Sequence, residues 1–205
     1  MKLVTVSAGL STPSSTRLLA DRLTDTVLDE LADQGHKADV DVIELRLLAV
    51  AIANNLVTGF PPPQLADVIE AVTSADGLVT VTPVFSASYS GLFKSFFDLI
   101  DPGALTGRRT VLIGATGGTP RHSLVLEHAL RPPFTYLRTV VLPTGVYAAS
   151  EDWGSDSDAH TKGLPVRIRR AGREMASILA TGAAHPLPED DLTGSKKQLS
   201  DLRFD

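Results

Sequence analysis

Five short runs dense in Val, Leu, Ile and Thr, at residues 2–6, 38–45, 77–82, 109–115 and 139–146, are separated by segments whose apolar residues recur at helical spacing. Runs of this length without strict polar alternation suit strands covered on both faces, and strands that each follow a helix run parallel to one another. The clearest helix spans residues 16–33, where Leu19, Leu23, Val27 and Leu31 recur every four residues with Leu28 beside them, and Gly35 provides the stop. Residues 64–74, 89–100, 121–137 and 158–180 carry the same period. Leu92, Phe93, Phe96 and Leu99 are the inward positions of the second of these, and Pro132-Pro133 interrupts or extends the third. Residues 46–63, with Asn54-Asn55, Gly59 and Pro61-Pro62-Pro63, read as a short helix followed by an irregular excursion. The expected fold is α/β: a doubly wound, five-stranded parallel sheet in the order 2-1-3-4-5 with helices on both faces.

Length and composition fit this fold and narrow the function. A chain of 205 residues, 43% hydrophobic and 21% charged, suits one domain over residues 1–185. Residues 186–205, with Glu189-Asp190-Asp191 and Lys196-Lys197, lack periodicity and read as a solvated terminal arm. The longest apolar stretch, residues 47–53, is too short to span a bilayer, and Met1-Lys2 leads directly into a strand, so the expectation is a cytoplasmic protein without a membrane partner. A net charge of -5 disfavours a nucleic-acid partner. The absence of cysteine removes thiolate catalysis, disulfides and cysteine-ligated clusters. No metal site is expected: His122 and His128 fall on different helix faces and have no acidic partner.

In an open sheet of this order, ligands bind outside the carboxyl ends of strands one and three, where the winding reverses. Three loops converge there. The first, residues 7–17, holds Ser7, Ser11, Thr12, Ser14, Ser15 and Thr16, with Arg17 at the opening of the helix. Hydroxyls and unpaired N–H groups at a helix N-terminus suit a phosphate, although an N-cap at Ser14 or Ser15 would use some of the same groups. Gly9 is the loop's single glycine, so neither Gly-rich nucleotide fingerprint is present. The second loop, Pro83-Val84-Phe85-Ser86-Ala87-Ser88-Tyr89, places two aromatics at a strand end, which suits a flat ligand or an ordinary core. The third, Thr116-Gly117-Gly118-Thr119, offers backbone N–H groups with little obstruction to a ring edge or a developing negative charge, and equally a plain turn.

The segments Ala75-Asp76-Gly77-Leu78-Val79, Thr82-Pro83-Val84-Phe85, Tyr89-Ser90-Gly91-Leu92-Phe93-Lys94 and Asp98-Leu99 closely resemble the NAD(P)H-dependent FMN reductases, a flavodoxin-like family. Ala104-Leu105-Thr106-Gly107, Ala115-Thr116-Gly117-Gly118-Thr119 and His128-Ala129-Leu130-Arg131-Pro132 are similar to reductases of two-component alkanesulfonate monooxygenase systems, and residues 6–17 to a branch that partners luciferase-like monooxygenases. The resemblance implies that Ser7, Ser14, Ser15, Thr16 and Arg17 surround the FMN phosphate. It implies that Pro83, Val84, Phe85 and Ser86 line the ribityl chain and ring, with Ser88 and Tyr89 nearby, and that Thr116, Gly117 and Gly118 meet the pyrimidine edge. Many relatives carry Gly-Ser-x-Arg after strand one, whereas this chain has Gly9-Leu10-Ser11-Thr12 and keeps its arginine at Arg17.

The implied activity is hydride transfer from NADPH or NADH to FMN, with reduced FMN supplied to a partner monooxygenase. Such a reaction needs two oriented planes and no acid–base dyad. The resemblance also implies a homodimer or homotetramer, and a helix widened by one residue at His128, at the subunit interface beside the flavin, that tunes flavin release; the residues alone fit an ordinary helix-surface or interface histidine equally well. Arg121 or Arg131 is available for a 2′-phosphate. Two other readings fit the residues: an FMN-retaining quinone, azo or ferric reductase, and a non-enzymatic flavodoxin-like electron carrier.

Overall fold

The computed structural model describes residues 1–107, 109–153 and 163–182. Strands β1 (Lys2–Ser7), β2 (Asp39–Glu44), β3 (Gly77–Phe85), β4 (Ser88–Tyr89), β5 (Thr110–Gly117), β6 (Val140–Val141) and β7 (Val146–Ala149) form one sheet. The path runs β2-β1-β3-β5-β6, with β7 also on β5 and β4 on β3. Every pairing is parallel except β3 with β4. Because β6 and β7 share the far side of β5, they occupy one strand position, and the sheet follows the expected 2-1-3-4-5 order.

Burial explains why the strands read so clearly. β1, β3 and β5 lie between two helical layers, so nearly every residue in them is buried. On one face, α1 (Ser15–Asp33) and α6 (Gly163–Ala180) cover the sheet, with Leu19, Leu23, Val27 and Leu31 of α1 packed in a cluster with Leu3, Val79, Leu112 and Met175. Each such side chain stabilises the fold by about 2 kcal/mol. On the other face lie α2 (Ala49–Thr58), α3 (Pro63–Ser74), α4 (Gly91–Phe97) and α5 (Arg131–Tyr136), and Phe93, Phe97 and Phe134 pack there as an aromatic cluster with centroids 4.7–6.1 Å apart. A 3-10 turn, Leu45–Leu48, precedes α2, the short helix expected between residues 46 and 63, and an irregular stretch from Gly59 to Pro62 follows it.

Three element boundaries differ from expectation. The last strand is broken: Thr110 faces Val140 and Gly114 faces Val146, so two extra residues bulge out within Leu142-Pro143-Thr144-Gly145. Pro143 has no N–H to donate to a ladder, and the bulge is held from both sides. Glu174 accepts from the Thr144 N–H at 3.0 Å and its hydroxyl at 2.6 Å, while Arg131 donates to the carbonyls of Leu142 and Pro143 at 2.8 and 3.2 Å. Those Thr144 bonds, with Arg170, keep Glu174 below the ordinary carboxylate range against the opposing effect of its burial.

The helix expected over residues 89–100 begins at Gly91 with Ser90 as N-cap, and Tyr89 belongs to the β3–β4 hairpin, where it pairs with Val84. Phe93 and Phe96 are buried as expected, Leu92 and Leu99 are only half-buried, and Phe97 and Ile100 take the other inward positions. The helix expected over residues 121–137 divides into a 3-10 turn at Pro120–His122, a π-helical turn at Leu126–Leu130 and α5. Of the final helix, residues 158–162 lie outside the described residues, as does the tail at 186–205.

Candidate functional site

The order reverses between β1 and β3, and at their carboxyl ends lies a cavity of about 550 Å³, within the range of small-molecule sites. The three expected loops meet in it. Ser14, Ser15 and Thr16 line it from the first, Pro83, Val84 and Phe85 from the second, and Thr116, Gly117 and Gly118 from the third.

The first loop is shaped by the start of α1. Ser14 is the N-cap, its hydroxyl accepting from the Arg17 N–H at 3.2 Å, and Leu18 N–H makes the first bond to the Ser14 carbonyl. The N–H groups of Ser15 and Thr16 have no protein acceptor among the described residues, so two donors at a positive helix end remain for an anion. Gly9 is required by close approach, since a Cβ there would overlap the Ser14 hydroxyl. The Thr16 hydroxyl is buried and meets the Thr116 hydroxyl at 2.8 Å, which ties the first loop to the third.

The third loop is braced by Tyr147 of β7, whose hydroxyl donates to the Thr119 carbonyl at 2.8 Å. Burial, and secondarily Asp152, pushes the Tyr147 phenol above its ordinary value, so it stays a donor. A Cβ at Gly117 would overlap that hydroxyl, whereas one at Gly118 would meet nothing, leaving the backbone open on the cavity side. From the second loop, Phe85 lines the cavity with its ring 49% exposed. Ser86 and Ala87 turn the hairpin with φ of 49° and 63°.

Six sequence candidates lie outside this cavity. Ser7 is buried beneath it, its hydroxyl 3.5 Å from the Gly9 N–H. Arg17 is committed elsewhere, donating to Asp21 at 2.7 Å and Glu44 at 2.8 Å, and Glu44 also accepts from Arg46 at 2.8 Å. The hydrogen bond from Arg46, joined by the charge of Arg17, holds the Glu44 carboxyl below its usual range, while Asp21 and then Glu44 raise Arg17. Ser86 is exposed at the hairpin tip. Ser88, Tyr89 and His128 line a second cavity of about 670 Å³ on the outer side of the hairpin, with Lys94, Asp98 and Tyr136. His128 lies in the π-helical turn, closed by the Arg131 N–H bond to the Leu126 carbonyl.

Four lining residues were not candidates: Leu10, Ser11, Ser150 and Trp153. Ser11 lay within the first loop in sequence. Ser150 and Trp153 belong to a 3-10 turn after β7, reached only because that segment folds back over α1. The signal available for it was the chain's single tryptophan.

Hydroxyls and helix N–H groups at one end of the cavity, Pro83, Val84 and Phe85 along it, and open backbone at Gly118 fit the phosphate, flat ring and polar edge of FMN. Among the described residues there is no group of three His, Asp or Glu able to hold a metal, and no helix long and apolar enough to cross a membrane.

Fold and cavity together define a protein of the flavodoxin-like class. A flavodoxin from the domain Archaea shares the fold at a TM-score of 0.57 and 15% identity, covering 88% of this chain and 99% of that one. A family model described as NADPH-dependent FMN reductase matches residues 1–154, and the chain belongs to that family. It is 39% identical to the FMN reductase (NADPH) of Pseudomonas aeruginosa, over 86% of this chain and 91% of that protein. With the NADH-dependent FMN reductase SfnF of Pseudomonas fluorescens it shares 37% identity, over 88% and 93%. An oxidoreductase from Corynebacterium diphtheriae superimposes with a TM-score of 0.82 at 46% identity, covering 88% of this chain and 97% of that one.

Proposed function

We propose that this protein is an NAD(P)H:FMN oxidoreductase that reduces FMN in the cavity at the β1–β3 switch point and passes reduced FMN to a flavin-dependent, luciferase-like monooxygenase. The observation that carries this reading is the meeting of three loops in one cavity of a chain that belongs to the FMN reductase family. Bound there, FMN supplies the redox chemistry, accepting a hydride from reduced nicotinamide stacked on its ring. The chain binds and orients. Ser15 and Thr16 donate their N–H groups to the phosphate, with the Ser15 hydroxyl, while Ser14 holds the helix start. Ser7 and Arg17 support the loop from below and behind rather than through the cavity wall. Pro83, Val84 and Phe85 line the ring and ribityl chain, Ser86 and Ser88 shape the hairpin, and Tyr89 extends its wall toward His128. Backbone N–H groups of Thr116, Gly117 and Gly118 stabilise negative charge at the ring's pyrimidine edge.

Residues 1–185 act as one domain, in the cytoplasm, as a homodimer or homotetramer, with His128 easing flavin release. For nucleotide choice, Arg131 is consumed by Glu127 and by the carbonyls of Leu142 and Pro143. Arg121 sits three residues beyond Gly118 and its guanidinium has no partner among the described residues, so it is the arginine offered to a 2′-phosphate. Arg121→Ala should raise KM for NADPH about tenfold and leave NADH within twofold, since an exposed charge-assisted contact is worth on the order of 1.5 kcal/mol. Equal changes for both nucleotides in steady-state kinetics would remove Arg121 from this role.

The defining experiment is nucleotide oxidation by dialysed protein. Turnover should require added FMN and be saturable in it. A protein that stays yellow through dialysis and ignores added FMN would instead retain its flavin and reduce another acceptor.

A further inference from the structure

We infer that Trp153 is a flavin-binding residue, closing the cavity on the side of α1, and that Arg22 is the positioning residue that holds its ring there. This rests on the proposed FMN site. Trp153 and Ser150 line the same cavity as the three loops, although they come from a turn after the last strand. That turn is anchored at two points. Asp152 accepts from the Ala149 N–H at 2.8 Å and pairs with Arg167 at 3.0 Å, and Arg167 also donates to the Tyr147 carbonyl at 2.8 Å. On the other side, the guanidinium carbon of Arg22 lies 5.1 Å from the centroid of the Trp153 ring.

Arg22 lies seven residues after Ser15, two helical turns along one face of α1, so the contact fixes the indole beside the helix whose first turn faces the phosphate. Arg22 forms no ion pair among the described residues, leaving the ring face as its contact. The indole is half-buried, and the cavity gives its remaining surface something to cover. An aromatic wall in this position meets the carbon skeleton of the ligand and not its charge. FMN and riboflavin therefore lose affinity by the same factor when it is removed, unlike the response expected at the phosphate loop.

The test uses the full chain and has two readouts besides activity. By flavin fluorescence anisotropy, Trp153→Ala should raise Kd about tenfold for both FMN and riboflavin, and Trp153→Phe should restore it to within about threefold. Arg22→Gln, which keeps the indole, should raise Kd about two- to threefold. In the wild type, saturating FMN should slow oxidation of Trp153 by N-bromosuccinimide, followed by mass on the peptide that contains it. FMN binding with wild-type affinity to Trp153→Ala, together with unprotected Trp153 in the FMN-bound protein, overturns the inference and leaves the FMN site standing. No FMN binding to the wild-type chain takes down both.

Discussion

Replacing Gly117 with alanine should cost about 2–3 kcal/mol of stability and drive FMN turnover below detection, and adding Tyr147→Phe should recover part of both. A Cβ at Gly117 would overlap the Tyr147 hydroxyl and stand 3.2 Å from its ring carbon Cζ. Tyr147 is only 2% exposed and its hydroxyl holds the Thr119 carbonyl, so the ring has no free direction in which to move. Either the tyrosine shifts and strands that carbonyl, or the loop shifts and the open backbone at Gly118 leaves the cavity wall. Phenylalanine at 147 removes the clashing oxygen and leaves a contact that a shift of a few tenths of an ångström relieves. Denaturant unfolding with an FMN titration on the single and double variants checks this. A Gly117→Ala protein with wild-type stability and affinity, or no recovery in the double variant, would show that the brace does not shape the loop.

The second large effect is expected at the phosphate loop. Ser14→Ala with Ser15→Ala should weaken FMN by 10- to 100-fold and riboflavin by no more than about twofold, because charge-assisted hydrogen bonds to a dianion are worth roughly 1.5–3 kcal/mol each and riboflavin has no phosphate. The two serines act differently. Ser14 caps α1, so its replacement also costs about 1 kcal/mol of stability. Ser15 is exposed and lines the cavity, and its hydroxyl makes no hydrogen bond within the described residues, so Ser15→Ala alone should change the FMN to riboflavin ratio with little change in melting temperature. Equal losses for the two flavins would make the loop a helix cap and nothing more.

How much of this was legible in the sequence depended on how local each cause is. β1, β3 and β5 were readable because burial on both faces forces continuous runs such as Val79 to Val81 and Val111 to Ile113. The α1 stripe was readable because one face alone is covered. The break in the last strand was not, since it depends on Glu174 and Arg131 reaching in from elements distant in sequence. Tyr89 misled because Tyr89, Phe93 and Phe96 fall at helical spacing. The hairpin that claims Tyr89 turns on Ser86 and Ala87, which take positive φ without the Asn-Gly signature that announces such turns.

The site divides in the same way. Its three loops follow β1, β3 and β5, so topology predicts their meeting from order alone. Nine of the sequence candidates line the cavity. Arg17 could not be placed from sequence, because its two carboxylate partners include Glu44 at the far end of β2. Trp153 was missed because its position follows from Arg22 and Arg167, contacts with no local signature.

If the cavity binds FMN by its phosphate and serves its reduction, the two flavins must differ as substrates. The most direct measurement is steady-state oxidation of NADPH by the dialysed protein with FMN and riboflavin compared side by side. No oxidation is expected without flavin, and kcat/KM for FMN should be at least tenfold above that for riboflavin, with the difference in KM. Equal kcat/KM for the two flavins, or nucleotide oxidation indifferent to added flavin, would contradict it.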